Sequence, residues 1–229
     1  MRLPSARART LPLLCVWLSG CTGLFHSSAK PEQTYYLRAP SATAAAATGT
    51  GNAAAPAPAA TGASVRVGRP FAGPGLDTPR ILLVQADRRL NFYSGSRWPA
   101  PIPEVVEALA VQTLRASGAW TSVQDSNSPF PSDYLLQIAV RRFEADYTGG
   151  GPAPEVHVVL DCTLGRREGR DVIATFTAAG AAPAAANRLG AVVAAFEQAA
   201  GAALEALSQQ ARQAAGADAQ RAAQKAANP

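Results

Sequence analysis

The chain has 229 residues, 48% of them apolar, and a formal charge of +5. Three of its 21 Lys and Arg and none of its 16 Asp and Glu fall within residues 1–20, so the remainder carries only +2, with no basic run longer than two residues. This charge pattern removes most of the support for a nucleic-acid partner argued from a high isoelectric point, and none is expected; the length allows one domain with a real core plus unstructured segments.

Residues 1–20 read as a secretory signal peptide: Arg2, Arg7 and Arg9 precede a short apolar run, 11–18. That run is roughly half the ~20 residues a membrane-spanning helix needs. It ends in Leu18-Ser19-Gly20-Cys21, which looks like a bacterial lipobox. In a lipobox the cysteine thiol is acylated and the chain is cut just before it; the competing reading is an ordinary signal peptide with a chance cysteine at the cut. Cys21 is therefore the expected lipidation site. Each buried methylene contributes ~0.8 kcal/mol, so several acyl chains hold a protein on a membrane almost permanently. Thr22 stands where Asp in Gram-negative lipoproteins signals inner-membrane retention, so the expected address is the outer membrane, facing the periplasm. Cys15 leaves with the signal, which leaves Cys162 without a disulfide partner. In an oxidising compartment such a thiol is expected to be buried and inert.

Residues 21–33 form a short polar tether. Thr34-Tyr35-Tyr36-Leu37-Arg38 reads as a strand. Residues 39–63 are almost entirely Ala, Thr, Gly and Pro, with glycines and prolines breaking every helical run, and read as a disordered insertion. Val65 and Val67 alternate with polar residues in a strand over 64–69. The continuous apolar run 80–86 suits a central strand buried on both faces, with 89–93 pairing beside it. A helix follows Ser96-Arg97-Trp98-Pro99. Pro103 suits its first position, Ile102, Val106, Leu109, Ala110 and Leu114 form its apolar stripe, and Gly118 stops it. Trp120 to Val123 is a short strand.

Three hairpin-linked strands come next, over 134–147, 155–164 and 171–178. The second sets Val156, Val158, Leu160, Cys162 and Leu164 on one face. A strong amphipathic helix covers 185–211, with Leu189, Val193, Phe196, Ala200, Leu204 and Leu207 at three- and four-residue steps. Residues 212–229 show no apolar stripe and either extend that helix or fray. The expected fold is one α+β domain over 34–211. Its sheet is mainly antiparallel, with a C-terminal meander and two packed amphipathic helices.

Taken together these pieces resemble the ABC-type transport auxiliary lipoproteins associated with MCE-type lipid transport systems. The resemblance begins at Cys21 and Tyr35-Tyr36-Leu37. It runs through Ile81 to Val84, Arg97-Trp98, the Ser117-Gly118 corner, Leu136 to Phe143, Val156 to Leu164 and Ala191 to Phe196. It implies a periplasm-facing subunit working with an MCE-domain substrate-binding protein, an ABC permease and an ATPase, on phospholipids or related apolar molecules. Self-association into a homo-oligomer, a ring around a transport channel, is a hypothesis for native mass measurement. The alternative is a structural outer-membrane assembly or envelope-integrity lipoprotein.

Chemistry-bearing residues are sparse. The histidines are His26 and His157. No His-Glu-x-x-His, Gly-x-Ser-x-Gly or Walker loop occurs. His157 and Asp161 share a strand face, but four residues along a strand set them ~13 Å apart. Gly149-Gly150-Gly151 precedes a strand, so it reads as a hairpin turn and not a phosphate loop. No catalytic residue, cofactor or metal is expected, and a lipoprotein hydrolase ranks last. Arg97 and Trp98 are the candidate partner-binding pair, because tryptophan and arginine anchor many interfaces. The competing reading of Trp98 is a core anchor that clamps the helix start.

Overall fold

The computed structural model describes residues 32–39 and 61–227. The signal peptide, Cys21, most of the tether and most of the 39–63 insertion lie outside the described residues.

The sheet is organised on β7 (Tyr134–Asp146), the longest strand. Its apolar residues alternate, so Leu136, Ile138 and Val140 enter the core. The alternation then breaks. A bulge between Val140 and Arg142 shifts the register against β8, which turns Phe143 and Ala145 inward and leaves Arg142 and Glu144 on the other face. A strict two-residue period carried past Val140 would have aimed the two charged residues into the apolar core instead; on the other face Glu144 is still buried, but it is paired with Arg142. β8 (Glu155–Arg166) pairs antiparallel with the whole of β7, and β9 (Val172–Pro183) pairs antiparallel with β8. The expected meander is present, and its third strand runs five residues past Ala178.

Short strands complete the other side of β7. β2 (Ser64–Val67), β3 (Phe71–Ala72) and β4 (Arg80–Val84) each pair with it in parallel, in order along its length. β5 (Leu90–Arg97) pairs beside β4, as expected of 89–93, and runs antiparallel to it. β1 (Gln33–Thr34) is parallel to β5, and β6 (Ser122–Gln124) is parallel to β2. The meander and the β4–β5 pair are antiparallel and the remaining short pairings are parallel, so the sheet is open and mixed.

α1 (Ile102–Ala116) starts with Pro103 in its first turn and closes at Gly118, whose φ of +62° favours glycine. The whole predicted stripe of α1 is buried. α2 (Leu189–Ala227) is 39 residues long, running well past the expected end at 211. Its buried stripe is broader than the one read from large residues. Leu189 and Val193 are only half-buried, while Ala195, Ala199, Ala203, Ala211 and Ala215 are buried. The tail therefore does carry a core-facing stripe, made of alanines. By length and composition α2 could cross a membrane, but half of that stretch is buried against its own domain.

Both helices contribute to one core with the inward residues of β7, β8 and β9. α2 lies very close to β9. A Cβ built on Gly180 would stand 2.1 Å from the Ala199 carbonyl oxygen, so only a residue without a side chain permits this approach. The opposite face of the meander carries Gln137, Ala139, Arg141, Val159, Asp161 and Thr163, half-buried or exposed.

Candidate functional site

The candidate pair Arg97 and Trp98 closes β5 and turns toward α1. Trp98 N–H donates to Pro79 C=O at 2.7 Å, which aims the indole inward. The ring meets Phe196 at 5.2 Å and Phe143 at 6.0 Å, both edge-on, and those two phenylalanines stack at 5.3 Å. β5, β7 and α2 are joined through three aromatic rings. Trp98 is 0% exposed. A side chain without accessible surface cannot meet a partner, so the partner-binding role expected of Trp98 is corrected to that of a core anchor.

Arg97 is different. It keeps 39% of its side chain exposed and lies 3.6 Å from Glu32. Its Nε donates to Trp98 C=O at 3.2 Å, and its own carbonyl accepts from Tyr35 N–H at 2.9 Å. Further along, Arg38 Nε pairs with Glu197 of α2 at 3.0 Å. Glu32 to Arg38, where the chain enters the domain, are thus fastened to β5 and α2, with Arg97 at the surface beside them.

A second polar cluster was not foreseen. Asp218, on the part of α2 expected to extend or fray, is buried and accepts from Tyr134 Oη at 2.9 Å and Arg166 Nε at 3.1 Å. Arg166 Nη2 also binds its other carboxylate oxygen. Burial alone would raise the Asp218 pKa; hydrogen bonds from Arg166 and Tyr134, with the charges of Arg166 and Arg221, hold it below the ordinary value. Tyr134 is pushed up to about 12, first by burial and then by the Asp218 carboxylate. Above this cluster a groove is lined by Val172, Ile173, Arg221 and Lys225. The sequence signal was an acid in the alanine-rich far part of α2, seven residues beyond Ala211 on the same face.

The remaining candidates stay apart. Asp161 pairs with Arg141 at 3.2 Å and accepts from Thr177 Oγ1 at 2.7 Å, whereas His157 lies 3.4 Å from Glu155. His157 and Asp161 form no dyad. Gly149 to Gly151 sit in the turn before β8. Cys162 is buried, and burial, reinforced by the nearby Asp161 charge, pushes its thiol up to about 12. Among the described residues no group of three or more His, Cys, Asp or Glu could hold a metal ion.

Fold and site define a helix-backed open-sheet domain, entered through a fastened N-terminal segment. Its family follows from comparison. The family model for the ABC-type transport auxiliary lipoprotein component matches residues 47–223. The crystal structure of protein XCC0632 from Xanthomonas campestris, of family DUF330, is 31% identical with a TM-score of 0.67. The match covers 72% of this chain and 93% of that one. The chain belongs to the ABC-type transport auxiliary lipoprotein component family. A second crystal structure, of an uncharacterized protein, shares the fold at 16% identity and a TM-score of 0.52, covering 69% of this chain and 94% of that one. A search of curated proteins gives no match.

Proposed function

We propose that this protein is a non-catalytic, membrane-anchored auxiliary subunit of an MCE-linked ABC-type lipid transport system. The observation that carries the reading is the family match over 47–223, on a chain that also ends its N-terminal apolar run in Leu18-Ser19-Gly20-Cys21. Acyl chains on Cys21 hold the domain on a bilayer, and Thr22 supports the outer membrane, with the domain facing the periplasm. The partners are an MCE-domain substrate-binding protein, the permease and the ATPase. Arg97, at the surface where the chain enters the domain, is the partner-facing residue. A homo-oligomer around the transport channel completes the proposal, and native mass of the detergent-extracted protein checks it.

The experiment is gentle crosslinking in intact cells followed by affinity purification. An MCE protein and its permease should be recovered with the wild type. Cys21→Ser should carry no palmitate, leave the membrane fraction and lose those partners. Palmitate-free wild-type protein that fractionates as a soluble species, or repeated recovery without any transporter component, would sink the reading.

A further inference from the structure

β9 is the outer strand of the meander, and among the described residues it pairs with β8 alone. The ladder shows which of its backbone groups are left over. Ala184 N–H donates to Pro154 C=O at 2.9 Å, and Pro183 lies opposite Glu155. Along an antiparallel pair, hydrogen-bonded and non-hydrogen-bonded positions alternate. The even-numbered residues from 174 to 182 therefore turn N–H and C=O toward β8. Thr175, Thr177, Ala179 and Ala181 turn theirs to the outer edge. The one side-chain contact there agrees: Thr177 C=O accepts from Gln210 Nε2 at 3.4 Å. All four residues are exposed.

Long edges are ordinarily blunted by lysine, proline or inward charge. From 172 to 182 β9 has no charged residue and no proline; Pro183 only ends it. α2 packs on the core face of β9, where Gly180 lets it in, and among the described residues the Gln210 side chain is the one hydrogen-bond partner of the edge groups.

We propose that this edge receives an extended peptide segment of a partner protein by strand addition, with small side chains on the segment's α2-facing side. A row of outward N–H and C=O groups at alternate residues is matched by another extended backbone. The small side chains follow from α2. A helix is ~10–12 Å across. One whose backbone touches Gly180 overhangs the next strand position, ~4.8 Å away. The same overhang disfavours a second copy, because pairing two β9 strands would bring two such helices closer than the 8–10 Å that helix packing requires. The inference is independent of the transport role proposed above.

The test uses the full-length protein and a synthetic peptide, Thr-Ala-Thr-Ala-Thr-Ala-Thr-Ala, read by amide hydrogen exchange and fluorescence anisotropy. Saturating peptide should slow exchange at Thr175, Thr177, Ala179 and Ala181 at least tenfold and leave Ala174, Phe176 and Ala178 unchanged. A control peptide with two alanines replaced by proline should not bind. Ala179→Pro removes one edge donor and should weaken binding at least tenfold. Gln210→Ala leaves the strand intact, frees the Thr177 carbonyl and should tighten binding severalfold, which keeps the test decisive if the proline variant misfolds. No protection at millimolar peptide, or protection elsewhere, overturns the proposal. Protection of the same four amides that grows with protein concentration in the absence of peptide also overturns it, because the occupant is then a second copy.

Discussion

Arg97 and Trp98 are neighbours with opposite fates, and the difference is energetic. Removing the Trp98 indole leaves a cavity beside the stacked Phe143 and Phe196. Trp98→Ala should therefore cost about 3–5 kcal/mol, measured as a large drop in melting temperature; an unchanged melting temperature would refute the core role. Arg97→Ala removes a half-exposed pair with Glu32, worth less than about 1 kcal/mol, and one hydrogen bond to the Trp98 carbonyl. It should melt close to wild type while losing crosslinks to the transport partners. Cys162 gives a third readout. Its thiol is buried and stays protonated at neutral pH, so a maleimide should modify it only when the domain unfolds. Sequence could separate these fates for Cys162, which alternates cleanly with valines and leucines, but not for Trp98. Trp98 depends on Phe143 turning inward, which the bulge at Arg141 brings about and a two-residue period does not announce.

Among the elements, α2 carries the main departures from expectation. Its apolar periodicity is legible over 189–207, where large residues mark the buried side. Beyond that the contact is made by Ser208, alanines and one carboxylate, which no hydrophobic stripe reveals. Its seat on β9 requires Gly180. Gly180→Val would press a branched side chain into the Ala199 carbonyl and should cost about 1–3 kcal/mol, with hydrogen exchange rising first in β9 and α2. The far part of α2 should also respond to acid. The pKa of Asp218 is lower in the folded protein than its ordinary 3.8. Its contribution is thus complete above that value and is lost as pH falls through the folded pKa. Amides of the last turns of α2 should exchange faster below about pH 4, while those shared by β7 and β8 hold. Asp218→Asn should remove most of that pH dependence and loosen the same turns at neutral pH.

For the whole molecule, the fold class and the order of the major elements could be read from alternation and helical period. The parallel pairings could not. Strands as short as Phe71–Ala72 are set by where β7 passes, and their own sequence barely specifies them. A consequence follows from how α2 is placed. Arg38 grips it at Glu197, beside the point where the chain enters the domain, and Lys225 lies in its last turn. At ~1.5 Å per residue the two are separated by about 42 Å along the axis. Any component that grasps the Lys225 end therefore does so about four nanometres along the helix from the entry of the chain into the domain, and shortening the helix there should bring that handle closer to the entry point.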